Sequence, residues 1–171
     1  AEFIRTIILE LERIHSHMLW LGIFAYEMGQ DTLFQYIFRD REKVLDRLEE
    51  ISGNRINYGM STIGGARRDI TKSAASNLLK TASFIKEKAR EYYDTFSGDK
   101  AILSRTERVG KIRKSIAERY ATGPNLRACG VKVDLRNLGY CAYDEISFTP
   151  VINRGCDANA VALVRIREIE E

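Results

Sequence analysis

Between Glu2 and Met28 the apolar residues recur every three or four positions, and this pattern narrows the available folds more than any other in the chain. At about 100° per residue, Ile4, Ile7, Leu11, Ile14, Met18, Leu21 and Ala25 share one broad helical face that folding has to bury. Away from it, Thr6, Glu10, Arg13 and His17 form a polar stripe bordered by Leu9, Trp20 and Phe24. Polar groups among such large apolar neighbours imply a helix covered on more than one side, as in a bundle.

Gly29 can close this helix in a left-handed conformation. Thr32-Leu33-Phe34-Gln35 has the spacing of a capping box, so a second helix is expected from there to about Ile51, with Gly53 past its end. Phe34, Ile37, Phe38, Leu45 and Leu48 mark its buried side. Arg39, Asp40, Arg41, Glu42 and Lys43 read as a solvated charged face whose ion pairs add little stability. The near alternation of Ile56, Tyr58 and Met60 between glycines suggests a short extended segment or hairpin. A third helix follows from about Lys72 to Phe96, since Ala75, Leu78, Ala82, Ile85, Ala89, Tyr92 and Phe96 repeat at helical spacing.

One or two shorter helices fit Asp99 to Ala121, and Thr122-Gly123-Pro124 forces a stop. From Asn125 to Arg154 turn residues dominate, with β-like runs at Val131-Lys132-Val133 and Ile146 to Val151, so a long ordered loop is expected. A last helix begins near Asp157 and carries Val161, Val164 and Ile169. The fold class is mainly α: a helical bundle with short β or extended segments and a long ordered loop. Residues 1–171 suit a single domain. The chain opens inside a helical pattern without Met and stops at Ile169-Glu170-Glu171 while still helical, which suggests the truncated core of a larger chain.

A formal net charge of +3 with acids and bases interleaved gives no electrostatic case for nucleic acid; only Arg105 to Arg119 is locally basic. Cys129, Cys141 and Cys156 are odd in number and too far apart for a Cys-x-x-Cys clip, which argues for reduced thiols rather than a disulfide framework or structural zinc. No apolar run approaches the ~20 residues that cross a bilayer, so no direct membrane insertion is expected.

Glu10, Arg13 and His17 stand at steps of three and four, close enough to relay protons or orient a cofactor; equally, they can form a satisfied polar seam that sets helix packing. They are expected to bond with one another or with the loop around Arg127 and Arg136. His15 lies elsewhere around the helix and reads as structural. Gly64-Gly65 lacks the Lys-Ser/Thr of a phosphate-binding loop and reads as a tight turn.

Three stretches carry a resemblance to a known family. The first runs from Ala1-Glu2-Phe3-Ile4-Arg5 through His17 to Leu21-Gly22; the second joins Asp31-Thr32-Leu33-Phe34, Arg39-Asp40-Arg41-Glu42, Ser52-Gly53-Asn54-Arg55 and Gly64-Gly65-Ala66-Arg67-Arg68-Asp69. The third is Ala121-Thr122-Gly123-Pro124-Asn125-Leu126-Arg127-Ala128-Cys129-Gly130-Val131, followed by Asp134-Leu135-Arg136, Tyr143-Asp144-Glu145 and Val164-Arg165. Their order and spacing resemble the nickel–iron hydrogenase large subunit family in its energy-converting branch, as in formate hydrogenlyase and Ech-type hydrogenases, and the homologous quinone-site subunit of respiratory complex I.

The resemblance implies the hydrogenase large subunit fold and an oxidoreductase subunit, hydrogenase-like or NADH:quinone-oxidoreductase-like. Such a subunit passes electrons from an iron–sulfur small subunit to protons at nickel–iron or to quinone, in an NAD-linked or hydrogen-linked complex. It would lie on the cytoplasmic side, peripheral to the membrane through membrane subunits. In that family two Cys-x-x-Cys pairs, one before and one after this region, hold the metals; neither is present, so these residues are expected to bind no metal and to be inactive alone. By position the resemblance gives Glu27 the place of a carboxylate that pairs with a quinone-site histidine. It also places Arg68, Asp69, Arg127, Asp134 and Arg136 near the active-site half, as support for a cofactor. A non-catalytic scaffold or interaction subunit that has lost its ligands is the alternative. Self-association is expected of a bundle cut at both ends.

Overall fold

The computed structural model describes residues 1–171. The chain divides into two compact units, Ala1–Ile85 with Arg136–Ser147, and Lys86–Leu135 with Phe148–Glu171. In the first, α1 spans Glu2–Glu27 and α2 Asp31–Ser52. The turn between them is a Schellman motif: Gly29 sits at φ 73°, its N–H reaches Tyr26 O at 2.8 Å and the Gln30 N–H reaches Ala25 O at 2.9 Å. Gln30 then serves at once as the last capping residue of α1 and the N-cap of α2.

That double duty overturns the capping box expected at Thr32. Helix α2 is already under way at Asp31, so Thr32 lies inside it. The two helices lie tightly together because Gly22 faces the Phe38 ring, where any Cβ would overlap it. Met18, Leu21, Ala25, Ile37, Val44 and Leu48 form the core between them, none more than 1% exposed.

Asp40 is also only 1% exposed, which corrects the reading of residues 39–43 as a solvated face. It falls three residues after Ile37 and four before Val44, on the buried face, where Arg39 donates to it at 2.8 Å. After Gly53, in the left-handed conformation at φ 83°, the chain forms a two-residue hairpin, β1 Ser61–Thr62 paired antiparallel with β2 Gly65–Ala66. Extended pairing begins only at Ser61: Ile56 is 65% exposed and outside any strand. Arg5 ties the hairpin to α1 by donating to Gly65 O at 3.0 Å and Thr62 O at 2.6 Å.

Helix α3, Lys72–Gly98, begins in the first unit, where Asn77 donates to Glu50 at 2.8 Å, and continues in the second. The second unit adds α4 Lys100–Thr106, α5 Lys114–Tyr120, α6 Gly123–Arg127 and α7 Ala158–Glu170. Phe96, Ile102, Ala162, Val164 and Ile166 are at most 1% exposed in its core. There Asn159 donates to Phe96 O at 3.1 Å and to Thr106 Oγ1 at 3.2 Å. Asp157 caps α7 by accepting from the Ala160 N–H at 2.9 Å.

Pro124 does not merely stop a helix. It occupies the first turn of α6, where a missing N–H costs nothing. The Val131–Val133 and Ile146–Val151 runs form no strands. Single 3₁₀ turns at Leu135–Leu138 and Tyr143–Glu145 interrupt the long loop instead, and side-chain and backbone bonds to helices take the place of a sheet.

Candidate functional site

Along α1 the stripe of Thr6, Glu10, Arg13 and His17 meets the loop of residues 136–147. Arg13 forms an ion pair with Glu10, their side chains 18% and 31% exposed. The Tyr143 hydroxyl donates to the other oxygen of the same carboxylate. Thr6, 3% exposed, accepts from the Ala142 N–H at 3.0 Å and donates to Glu2 O at 3.0 Å, fastening the loop beside Tyr143. His17, 5% exposed, lies one turn beyond Arg13. Trp20 and Phe24 stack with centroids 4.7 Å apart and stay half-buried, whereas Leu9 is exposed.

The loop's shape comes from Gly139. At φ 68°, its open side is filled by the Asp144 carboxylate, where a Cβ would overlap. This turn sets Tyr140 edge-on to Tyr143, centroids 4.9 Å apart. Burial, then the neighbouring Tyr140, push the Tyr143 hydroxyl up to about 12; Arg13 and Arg136 pull against that shift without reversing it. Tyr143 is therefore protonated at neutral pH and acts as a donor aimed at Glu10.

The other residues expected at a site are dispersed. Glu27 ends α1, exposed, and Arg68 and Asp69 are exposed after the hairpin. Arg136 is buried in the loop with Tyr143. In the second unit Arg127 gathers a cluster of its own: its Nε donates to Glu168 at 2.5 Å, its Nη1 donates to Val133 O at 3.1 Å and stands 3.9 Å from Asp134. Arg165 joins the cluster, its pKa lowered chiefly by burial and then by Arg127, and partly restored by Glu168.

Sequence reasoning gave no role to Tyr143 or Glu168. Nothing local marks Tyr143, because its partner is 133 positions away. Glu168 could have been found: it follows Ala160 and Val164 at steps of four and so lies on the buried face of α7.

A nickel–iron centre does not fit the donors present. Cys129 and Cys156 lie side by side, two thiols where the family's two Cys-x-x-Cys pairs supply four thiolates; burial with the Cys156 contact pushes the Cys129 thiol up to about 12. Nowhere do three His, Cys, Asp or Glu side chains converge as a metal site.

Comparison with known proteins gives one answer from sequence and structure. The model of the family described as respiratory-chain NADH dehydrogenase, 49 Kd subunit, matches residues 27–171. The alpha subunit of the membrane-bound hydrogenase of Pyrococcus furiosus is 41% identical over 155 residues, covering 88% of this chain and 36% of that protein. One subunit of the NADH-quinone oxidoreductase of Clostridium beijerinckii is 38% identical over 173 residues, covering 100% of this chain and 47% of its own length. Its counterpart in the chloroplastic NAD(P)H-quinone oxidoreductase of Ipomoea purpurea is also 38% identical, with 44% of its length covered. Among solved structures, a chain of the membrane-bound sulfane sulfur reductase, an archaeal respiratory membrane complex, superposes with a TM-score of 0.90 at 31% identity, over 99% of this chain and 46% of that one. The chain thus spans less than half the length of these relatives. No helix is long and apolar enough to cross a membrane.

Proposed function

This chain belongs to the respiratory-chain NADH dehydrogenase 49 Kd subunit family, and from that premise we propose that it forms the helical core of the large subunit of a membrane-associated oxidoreductase complex. In this reading the large subunit takes electrons from an iron–sulfur small subunit and delivers them to quinone or to protons, on the cytoplasmic face of membrane subunits. A nickel–iron centre, where the whole subunit carries one, would draw its thiolates from outside these residues. The part of the reaction that falls to this chain is proton handling.

The observation that supports the reading is the junction of Tyr143, Glu10 and Arg13. Glu10 presents a carboxylate oriented from two sides, by a hydroxyl donor on one oxygen and a guanidinium on the other. Such a group is an acceptor fixed in place, to which a proton can be passed in transit rather than stored, while Arg136 adds positive potential to the same loop. Thr6 and Gly139 keep the loop in register with α1. The Arg127 cluster plays the supporting part in the second unit, holding Val133 by a part-buried hydrogen bond and Asp134 by an ion pair.

The test uses the complete subunit in its purified complex, with Glu10→Gln and Tyr143→Phe compared with wild type. Turnover with the complex's electron acceptor is expected to fall by roughly 10²-fold or more for Glu10→Gln, the scale of a lost proton-transfer group. Tyr143→Phe is expected to fall less and to shift the pH profile. Full turnover in Glu10→Gln with subunit content unchanged would remove the proton-handling role and favour a scaffold.

A further inference from the structure

From Glu107 to Tyr120 every side chain except that of Ala117 is exposed. The backbone is nevertheless pinned. The Arg108 N–H donates to Asp157 Oδ2 at 2.9 Å, the Ala158 N–H to Val109 O at 3.0 Å and the Ile112 N–H to Cys156 O at 3.0 Å. Arg108 takes φ 63°, a left-handed conformation uncommon for a non-glycine residue.

This fixed stretch holds outward what a solvated loop would not. Val109 is 49% exposed, Ile112 39%, Ile116 38% and Tyr120 74%, the last two one turn apart on α5. Around them stand Arg105, Arg108, Lys111, Arg113, Lys114 and Arg119, against only two acids, of which Glu118 is 3.8 Å from Lys114. Apolar side chains within a basic rim match one half of a protein interface, and the half that fits them carries carboxylates around an apolar hollow.

We propose that the surface from Arg105 to Tyr120 docks the acidic face of a neighbouring protein subunit, with Ile112, Ile116 and Tyr120 seated and the basic groups paired with its carboxylates. A lipid surface suits it less well, because α5 has 7 residues and the rest is pinned turn, not a long amphipathic helix. Nucleic acid suits it less well too, because Tyr120 is the one aromatic ring in the stretch. The inference rests on the reading of the chain as part of a larger complex.

The experiment takes the purified complex containing the complete subunit and measures acetylation of Lys111 and Lys114, in the complex and after its dissociation, with zero-length carbodiimide cross-links mapped in parallel. Protection of about fivefold is expected in the complex, with cross-links from these lysines to Asp or Glu of another polypeptide. The double variant Arg113→Glu, Lys114→Glu should lose that polypeptide on purification, while Lys114→Arg should keep it. An intact complex with both lysines fully reactive overturns this surface and leaves the proposed function standing; a complete subunit that purifies alone overturns both. Protection that appears only with vesicles of anionic lipid, or only with nucleic acid, also overturns it.

Discussion

Tyr143 donates its hydroxyl to Glu10, the carboxylate that Arg13 already grips on α1. That bond gives the polar stripe a partner from a distant loop, and the loop in turn gains a fixed position against the helix through Thr6.

Tyr143 should therefore titrate late. Its folded pKa is raised to about 12 from an ordinary value of 10, so its contribution to stability is complete below pH 10 and is lost as pH rises through 12. The difference in tyrosinate absorbance between wild type and Tyr143→Phe should show a component ionising near 12. A component ionising at the ordinary value would mean the hydroxyl is solvated.

The partial exposure of Arg13 and Glu10 limits what their pair contributes. Arg13→Ala should cost about 1–2 kcal/mol, below the roughly 3–5 kcal/mol of a fully buried pair. Arg39→Ala is the more telling variant, since it takes a guanidinium 2.8 Å away from the buried Asp40 and should cost about 1–3 kcal/mol. Urea melts compare them. An Arg39→Ala loss below ~0.5 kcal/mol, as for a surface pair, would show that other groups hold Asp40.

Helix α1 was legible because its period repeats over 26 residues, enough for the apolar face to stand out. The start of α2 was not, because Gln30 serves two helices and no rule of spacing reveals that. Asp40 was misread although its step from Ile37 and to Val44 placed it on the apolar face; the charges on either side masked it. The residues of the stripe could be named from their spacing, but their partner was hidden. Tyr143 reaches Glu10 only through Gly139, Asp144 and Thr6, contacts set by tertiary folding.

His15 should make the acid limb of stability steeper. Burial first, and then the Arg41 guanidinium, lower its pKa below the ordinary 6.5; Glu12 opposes them. Arg41 lies close, donating to the His15 carbonyl at 3.2 Å. The unfolded chain takes up the proton more readily, so stability is full above pH 6.5 and falls as pH drops through the lower folded value. His15→Gln should flatten the difference between melts at pH 7.5 and at about pH 5. An unchanged pH slope would assign the acid limb to other groups.

The Arg127 cluster yields the sharpest contrast, because two carboxylates serve one guanidinium unequally. Glu168 is fully buried and accepts at 2.5 Å, whereas Asp134 stands 3.9 Å away. Removing Glu168 takes from buried Arg127 its closest carboxylate and leaves it Asp134 at 3.9 Å, and it takes from Arg165 the charge that offsets its burial. Glu168→Ala should cost about 3–5 kcal/mol, and Asp134→Ala distinctly less. Replacing Arg127 and Glu168 together by Met and Leu should cost less than the sum of the single truncations, since the closest pair then leaves together and neither member is stranded by loss of the other. Because the pair is shielded from solvent, raising the salt should leave the Glu168→Ala loss nearly unchanged. Equal losses for the two carboxylate variants would show that summed charge, not the close contact on α7, holds this cluster together.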